Sequence, residues 1–94
     1  MTSLGKIPVF TSEDYACWKV RMRAFLQSLG AEVWDITKNQ AYEVLAVRTT
    51  PMQVTEHEAN AKSVNALFAG VSRVEFSRVQ GFQKAHKVWT CLEN

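Results

Sequence analysis

The sequence predicts an all-α fold, a compact bundle of about five helices. Apolar residues recur at steps of three and four, which is the period of one helix face, and no segment alternates as a half-buried strand does. The chain has 94 residues, of which 47% are hydrophobic and 21% charged. This is a globular balance, and the length suits one domain. We therefore expect residues 1–94 to form a single helical domain without an internal linker.

The first predicted helix has Thr11 or Ser12 as its N-cap and runs to Gly30, because glycine often follows the end of a helix. The residues of its apolar stripe are Tyr15, Trp18, Met22, Phe25 and Leu29. Pro8 disfavours helical backbone in the residue before it. Residues 1–11 are therefore expected to be an extended segment that leads into the fold.

The middle of the chain is less regular than the first helix. Apolar residues between Val33 and Val47 are interrupted by the polar residues 37–39, which predicts one broken helix or two short ones. Pro51 disfavours helix at Thr50 and supplies no amide donor, so this part is expected to stop there.

Three further helices are predicted from cap residues and apolar spacing. Thr55 and Glu58 have the spacing of a capping box, and the helix that they open is expected to end at Gly70. Ser72 and Glu75 repeat this spacing and open a short helix, and a last helix runs to the C-terminus. The apolar residues on these helix faces are Val64, Leu67, Phe68, Val71, Phe76, Val79, Ala85, Val88, Trp89 and Leu92.

Composition excludes several classes of protein. The net charge of +2 is too small to indicate nucleic-acid binding by itself. No apolar stretch approaches the roughly 20 residues that a membrane-spanning helix needs. Two cysteines are too few for the disulfide framework of a small secreted domain. A reducing, cytoplasmic setting without membrane contact is therefore expected.

The sequence offers no motif of an enzyme or of a metal site. The segment that starts at His57 begins like a zinc-protease helix, but Ala61 stands where the second histidine is required. Cys17, His86 and Cys91 also lack the paired spacing of zinc ligands. There is no glycine-rich phosphate loop and no nucleophile with a neighbouring base. We expect no catalytic residue, no metal and no cofactor.

Two sets of residues are candidates for a site. The first could fill the core or line a groove, since large aromatic residues do both, and it consists of Tyr15, Trp18, Phe25, Trp34, Phe68 and Trp89. The second flanks the apolar stripes and is a candidate interface, and it consists of Lys19, Met22, Arg23, Val74 and Arg78. The densest basic run, Lys19, Arg21 and Arg23, is interpreted as a solvated helix face rather than a nucleic-acid contact.

Four motifs stand in order along the chain. They are FTSEDYACWKVRMRAFL at residues 10–26, VWDI at 33–36, NALFAGVS at 65–72 with EF at 75–76, and AHKVWTCLE at 85–93. This series resembles the Gag polyproteins of copia-type LTR retrotransposons, whose corresponding motifs are F…Y-x-x-W-K-x-R-M-x-x-[FY]-L, V-W-D/E, N-A-I-F-x-G-L-S and A-K-E-A-W-D-x-L-E. Lys84 and residues 87–88 depart from the last pattern, so the last helix is expected to be somewhat weakened.

The resemblance implies the amino-terminal lobe of an all-helical capsid domain, with a structural role in assembling the particle that packages retrotransposon RNA. Its partners are then the chain itself or full-length Gag, and Tyr15, Trp18, Trp34 and Trp89 are packing residues. The chain ends before the second capsid lobe and the CCHC zinc knuckle, so nucleic acid is not an expected partner. The alternative is a domesticated Gag-derived adaptor that binds a peptide, or a viral or host protein, in an apolar groove.

Overall fold

The computed structural model describes Pro8 and residues 15–93, and this part of the chain forms five α-helices and no β-strand, which confirms the predicted all-α class. The helices are α1 (Tyr15–Ser28), α2 (Ala31–Thr37), α3 (Pro51–Ala69), α4 (Arg73–Val79) and α5 (Ala85–Glu93). The predicted caps Thr11 and Ser12, and residues 1–11 apart from Pro8, lie outside the described residues. None of the described helices combines the length and the apolar character needed to cross a bilayer.

One hydrophobic core joins all five helices. Its buried members are Trp18, Met22, Leu26, Val33, Ile36, Tyr42, Ala59, Ala66, Leu67, Val79, Val88, Trp89 and Leu92. In α1 the buried face steps by four residues, which is the spacing of one ridge of a helix surface. Leu26 is therefore the buried residue in this part of the helix. The sequence pattern placed Phe25 and Leu29 on the apolar stripe, but Phe25 is only half-buried, and Leu29 is exposed and follows the helix.

Gly30 separates α1 from α2, as the sequence predicted for the end of the first helix. Its φ of 140° lies in a region that side chains with a Cβ rarely adopt. A Cβ at this position would also lie 2.9 Å from a carboxylate oxygen of Glu32. The turn between the two helices thus requires glycine.

The segment after α2 is not helical, so the prediction of helix beyond residue 37 is wrong. Local side-chain bonds compete with helix here. Thr37 Oγ1 donates to the carbonyl of Val33 at 2.7 Å, and the Asn39 side chain accepts from the amide of Ala41 at 2.9 Å. Tyr42 is nevertheless buried in the core, which anchors the segment.

α3 begins five residues before the predicted start, since its N-cap is Thr50 and not Thr55, and the capping box assigned to Thr55 and Glu58 is wrong. Thr50 is the N-cap, its side chain accepts from the amide of Gln53, and the Gln53 side chain accepts in return. Pro51 fits the first helical position, where its missing amide has no partner to lose. The predicted end is confirmed, because Gly70 is the C-cap.

The last two helices agree with the sequence in position. Ser72 is the N-cap of α4, but its side chain makes no capping bond, so its predicted capping box with Glu75 is wrong. Glu75 instead accepts from Arg78 at 2.6 Å, one turn further along the helix. The predicted face of α5 is confirmed, since Ala85, Val88, Trp89 and Leu92 are all buried.

Candidate functional site

Three tryptophans from three helices meet in one cluster. Trp18 stacks on Trp89 with ring centroids 5.8 Å apart, and Trp34 meets Trp89 at 5.3 Å with an angle of 80° between the rings. The Trp18 indole N–H donates to the carbonyls of Gly70 and Pro8, each at 3.1 Å. Residues of all four sequence motifs are therefore in contact at this cluster.

A groove of about 370 Å³ adjoins the cluster between α1, α2 and α5. We call it the cationic groove, and it is lined by Lys19, Val20, Arg23, Trp34, Lys38, His86, Trp89, Thr90 and Glu93. Two residues from each predicted set lie here, namely Trp34 and Trp89 from the aromatic set and Lys19 and Arg23 from the interface set. The groove is thus where the two predictions meet.

Charged side chains dominate the groove. Lys19 forms an ion pair with Glu93 that joins α1 to α5, and the hydrogen bond that Lys19 donates to this carboxylate raises the pKa of Lys19. The Arg23 guanidinium lies 5.4 Å from the centroid of the Trp34 ring, a cation–π contact. Lys38 is 4.0 Å from the carboxylate of Asp35, with 59% of its side chain exposed. Since Lys19 pairs with Glu93 and Lys38 lies beside Asp35, the positive charge of the groove comes mainly from Arg23.

The two tryptophans of the groove differ in exposure. Trp89 is 6% exposed, because Trp18 stacks on it and Trp34 packs against it. Trp34 is half-buried, and Arg23 lies over its ring. Trp34 therefore has more apolar surface left for a ligand than Trp89.

The opposite flank of α2 carries negative charge. A hollow of about 160 Å³ lies there between α2 and the first turns of α3. We call it the acidic hollow, and it is lined by Glu32, Asp35, Ile36, Asn39, Thr55, Glu56 and Ala59. These residues include three carboxylates and no basic side chain. α2 therefore separates a positive surface from a negative one.

A third and wider depression, of about 560 Å³, lies between α3 and the turn before α5. Asn60 is buried beside this depression. Its side-chain N–H donates to the carbonyl of Gln83 at 2.8 Å, and its side-chain oxygen accepts from the amide of Ala85 at 2.8 Å. These bonds satisfy backbone groups where α5 begins. His57 also lines this depression, and its buried Nδ1 has no hydrogen-bond partner among the described residues.

The remaining aromatic candidates lie in or beside the core. Tyr15 is half-buried, with its ring centroid 5.8 Å from that of Trp18. Phe25 is half-buried against the core, as is Phe68, whose ring meets that of Phe76 edge-on at 5.1 Å. None of these three lines the cationic groove.

One interface candidate is wrong. Met22 is fully buried, because α1 turns its Trp18–Met22–Leu26 ridge into the core, so it cannot belong to a surface. Val74 is 70% exposed on α4, and Arg78 of the same helix donates to the carbonyl of Cys91 at 3.0 Å. Neither lines the cationic groove, so the surface candidates fall into two separate groups.

Several groove residues were missed in the sequence. Lys38 follows Trp34 by four residues. On α5, His86 precedes Trp89 by three residues and Glu93 follows it by four, while Thr90 lies four residues after His86. Both spacings place side chains on one side of a helix. The polar neighbours of the two tryptophans at these steps could have indicated the groove.

The four residues considered as metal ligands do not form a site in the described part of the chain. Within it, no group of three or more histidine, cysteine, aspartate and glutamate side chains is placed to hold a metal ion. Cys17 and Cys91 are free and half-buried. The Nδ1 of His86 is 3.2 Å from the carbonyl oxygen of Thr37, to which it can only donate.

No protein-family model, curated protein or solved structure matches this chain. The resemblance to copia-type Gag is therefore carried by the four sequence motifs alone.

Proposed function

We propose that this chain is a structural assembly domain resembling the Gag capsid N-lobe of a copia-type retrotransposon. It acts in the cytoplasm by associating with copies of itself or with full-length Gag. The observation that carries the proposal is the contact among the four motifs at the tryptophan cluster, where Trp18, Trp34, Gly70 and Trp89 meet. The motif residues that meet there are buried or half-buried, as packing residues of a capsid lobe would be.

The surface supports association of a weak kind. Val74 on α4 and Val20 beside the cationic groove are both about 70% exposed, and apolar residues of this kind flank charged side chains at both places. Interfaces built from such small patches usually bury less than about 1,200 Å² and are transient. The chain is therefore expected to exchange between a monomer and larger species.

Sedimentation velocity over a wide concentration range tests this function. We expect a monomer at about 1 μM and a growing share of larger species toward about 1 mM, as weak interfaces require. Added to a copia-type Gag that carries the same four motifs, the chain is expected to insert into assemblies and interrupt them. A chain that stays monomeric throughout and leaves Gag assembly unchanged contradicts the proposal.

The adaptor function is the second candidate, and the cationic groove is what favours it. Val20 and the half-buried Trp34 offer apolar surface beside Arg23 and Lys38. A groove of about 370 Å³ has room for a few side chains of a bound peptide. A strictly monomeric chain that binds an acidic peptide, and loses it on Arg23→Glu, would favour this function over assembly.

A further inference from the structure

We propose that copies of this chain associate head to tail, with the cationic groove of one copy bound to the acidic hollow of the next. This inference rests on the proposed assembly function and names the two surfaces that perform it. It follows from the charges of the two surfaces, from their positions on α2 and from the exposure of the side chains that would meet.

The charges of the two surfaces are complementary. In the cationic groove, Lys19 pairs with Glu93, Lys38 makes only a long and exposed pair with Asp35, and Arg23 forms no ion pair within the described residues. The acidic hollow has three carboxylates and no basic lining residue. When the groove of one copy faces the hollow of the next, unlike charges lie opposite each other. This favours the groove-to-hollow contact over contacts that bring two like-charged surfaces together.

The position of α2 decides the geometry of the contact. At about 100° per residue, Glu32 and Trp34 lie on different sides of this helix, and the linings agree: one surface reaches toward α1 and α5, the other toward α3. The two surfaces are different and adjoin at one edge, where Lys38 of the groove lies 4.0 Å from Asp35 of the hollow, so a contact between the groove of one copy and the hollow of the next is heterologous. Such a contact repeats from copy to copy into a ring or an open chain.

The side chains at the edges of the two surfaces can reach a neighbouring copy. Lys38 and Asp35 are 59% and 68% exposed, and their charged atoms are 4.0 Å apart within one copy. An exposed pair at this distance contributes about 1 kcal/mol or less, so either partner can exchange it for one in a neighbour. The resulting contact is electrostatic and is weakened by salt, because the Debye length falls from about 10 Å at 0.1 M to about 3 Å at 1 M ionic strength.

Charge-reversal variants of the chain test the two surfaces separately. Arg23→Glu changes the groove, and Arg21→Glu is its control, an exposed arginine two residues away that does not line the groove. Glu56→Lys changes the hollow, and Glu58→Lys is the control on the same helix, outside the hollow. Circular dichroism and thermal melting establish that each variant is folded. If Arg23→Glu is not, Arg23→Gln replaces it.

We expect Arg23→Glu and Glu56→Lys each to weaken self-association by about tenfold or more, the loss of roughly one good charge contact. An equimolar mixture of the two is expected to associate again. The reversed groove of Arg23→Glu then faces the reversed hollow of Glu56→Lys, and the unchanged hollow of the first variant faces the unchanged groove of the second. The two control variants, alone or mixed, should associate like the unaltered chain. Salt at about 0.5 M should weaken all of these contacts.

The outcomes separate this inference from the proposed function. Self-association that neither Arg23→Glu nor Glu56→Lys changes overturns the head-to-tail contact and leaves the assembly function standing. Loss with Arg23→Glu alone also overturns it, because the groove then binds an acidic surface other than the hollow. A chain that never associates overturns both the contact and the assembly function.

Discussion

At the scale of single residues, three buried polar side chains tie the helices together. Ser63 of α3 hydrogen-bonds to Thr37 of α2, whose hydroxyl donates to the carbonyl of Val33. Asn60 of α3 bonds the turn before α5 and the first amide of α5. The apolar pattern could not predict these residues, because it treats polar positions as exposed and the partners of Asn60 lie 23 and 25 residues away.

Removing the Asn60 side chain is expected to destabilise the fold. Asn60→Ala leaves the carbonyl of Gln83 and the amide of Ala85 without their partners. The bond to Gln83 is only part-buried, whereas the buried amide of Ala85 left unpaired costs about 1–3 kcal/mol. We expect a loss of this size in the free energy of unfolding, measured by urea denaturation. Asn65→Ala, an exposed asparagine on the same helix, should change it by less than about 0.5 kcal/mol. Equal effects of the two variants would show that the Asn60 bonds do not stabilise the start of α5.

Trp18 is the residue whose loss is expected to cost most. It is 3% exposed, stacks on Trp89 and donates to Gly70. Truncating a buried tryptophan to alanine typically costs about 3–5 kcal/mol, a large part of the stability of a small domain. Trp18→Ala should therefore unfold much of the population, as a thermal melt followed by circular dichroism would show.

The matched control for Trp18 is Val20→Ala on the same helix, because Val20 is 69% exposed. Its melting temperature should stay close to that of the unaltered chain. If Trp18→Ala melts like Val20→Ala, the indole is not a packing residue, and the motif contact that carries the proposed function loses its support.

At the scale of elements, the sequence predicted the helices better than their ends. α1 and α5 follow from apolar spacing alone, because each turns one continuous face to the core. The start of α3 does not follow from apolar spacing, because Thr50 and Thr55 are both possible N-caps and both are followed by a helix-forming run. Which cap is used depends on the Gln53 side chain reaching back to Thr50, a bond that residue spacing allows but does not require.

The two candidate caps of α3 can be tested against each other. Thr50→Ala removes the acceptor of the Gln53 amide and is expected to lower the free energy of unfolding by about 1 kcal/mol, with a range of 0.5–2. Thr55→Ala replaces an exposed residue inside the helix with the best helix former and should be neutral or slightly stabilising. Urea denaturation of both variants measures this difference. The reverse order would restore Thr55 as the N-cap.

At the scale of the whole molecule, the core could be predicted but the groove only in part. Trp18, Trp89 and most of α5 were assigned to the core from spacing. The groove needs α1, α2 and α5 to be placed together, and it depends on contacts such as the Lys19–Glu93 pair, whose members are 74 residues apart in sequence. The acidic hollow was missed for the same reason, because Glu32 and Glu56 meet only through the packing of α2 on α3.

Alkaline pH is expected to destabilise the whole fold. Burial raises the pKa of Tyr42, and the nearby Glu56 carboxylate raises it further, while Arg48 opposes the change. The hydrogen bond with Glu93 raises the pKa of Lys19 in the same direction. Both groups thus lose their protons at lower pH in the unfolded chain than in the folded one. Their contribution to stability is complete below about pH 10 and is lost as the pH rises through the folded-state values.

Urea denaturation at about pH 8 and about pH 11 tests this pH dependence, with the two values on either side of the usual tyrosine pKa. The free energy of unfolding should be lower at the higher pH, and the difference should shrink in Tyr42→Phe because phenylalanine has no proton to release. At the lower pH this variant should be close to the unaltered chain, since no described hydrogen bond of the Tyr42 hydroxyl is lost. An unchanged difference in Tyr42→Phe would mean that the hydroxyl reaches solvent. The segment after α2 would then not be anchored in the core by this residue.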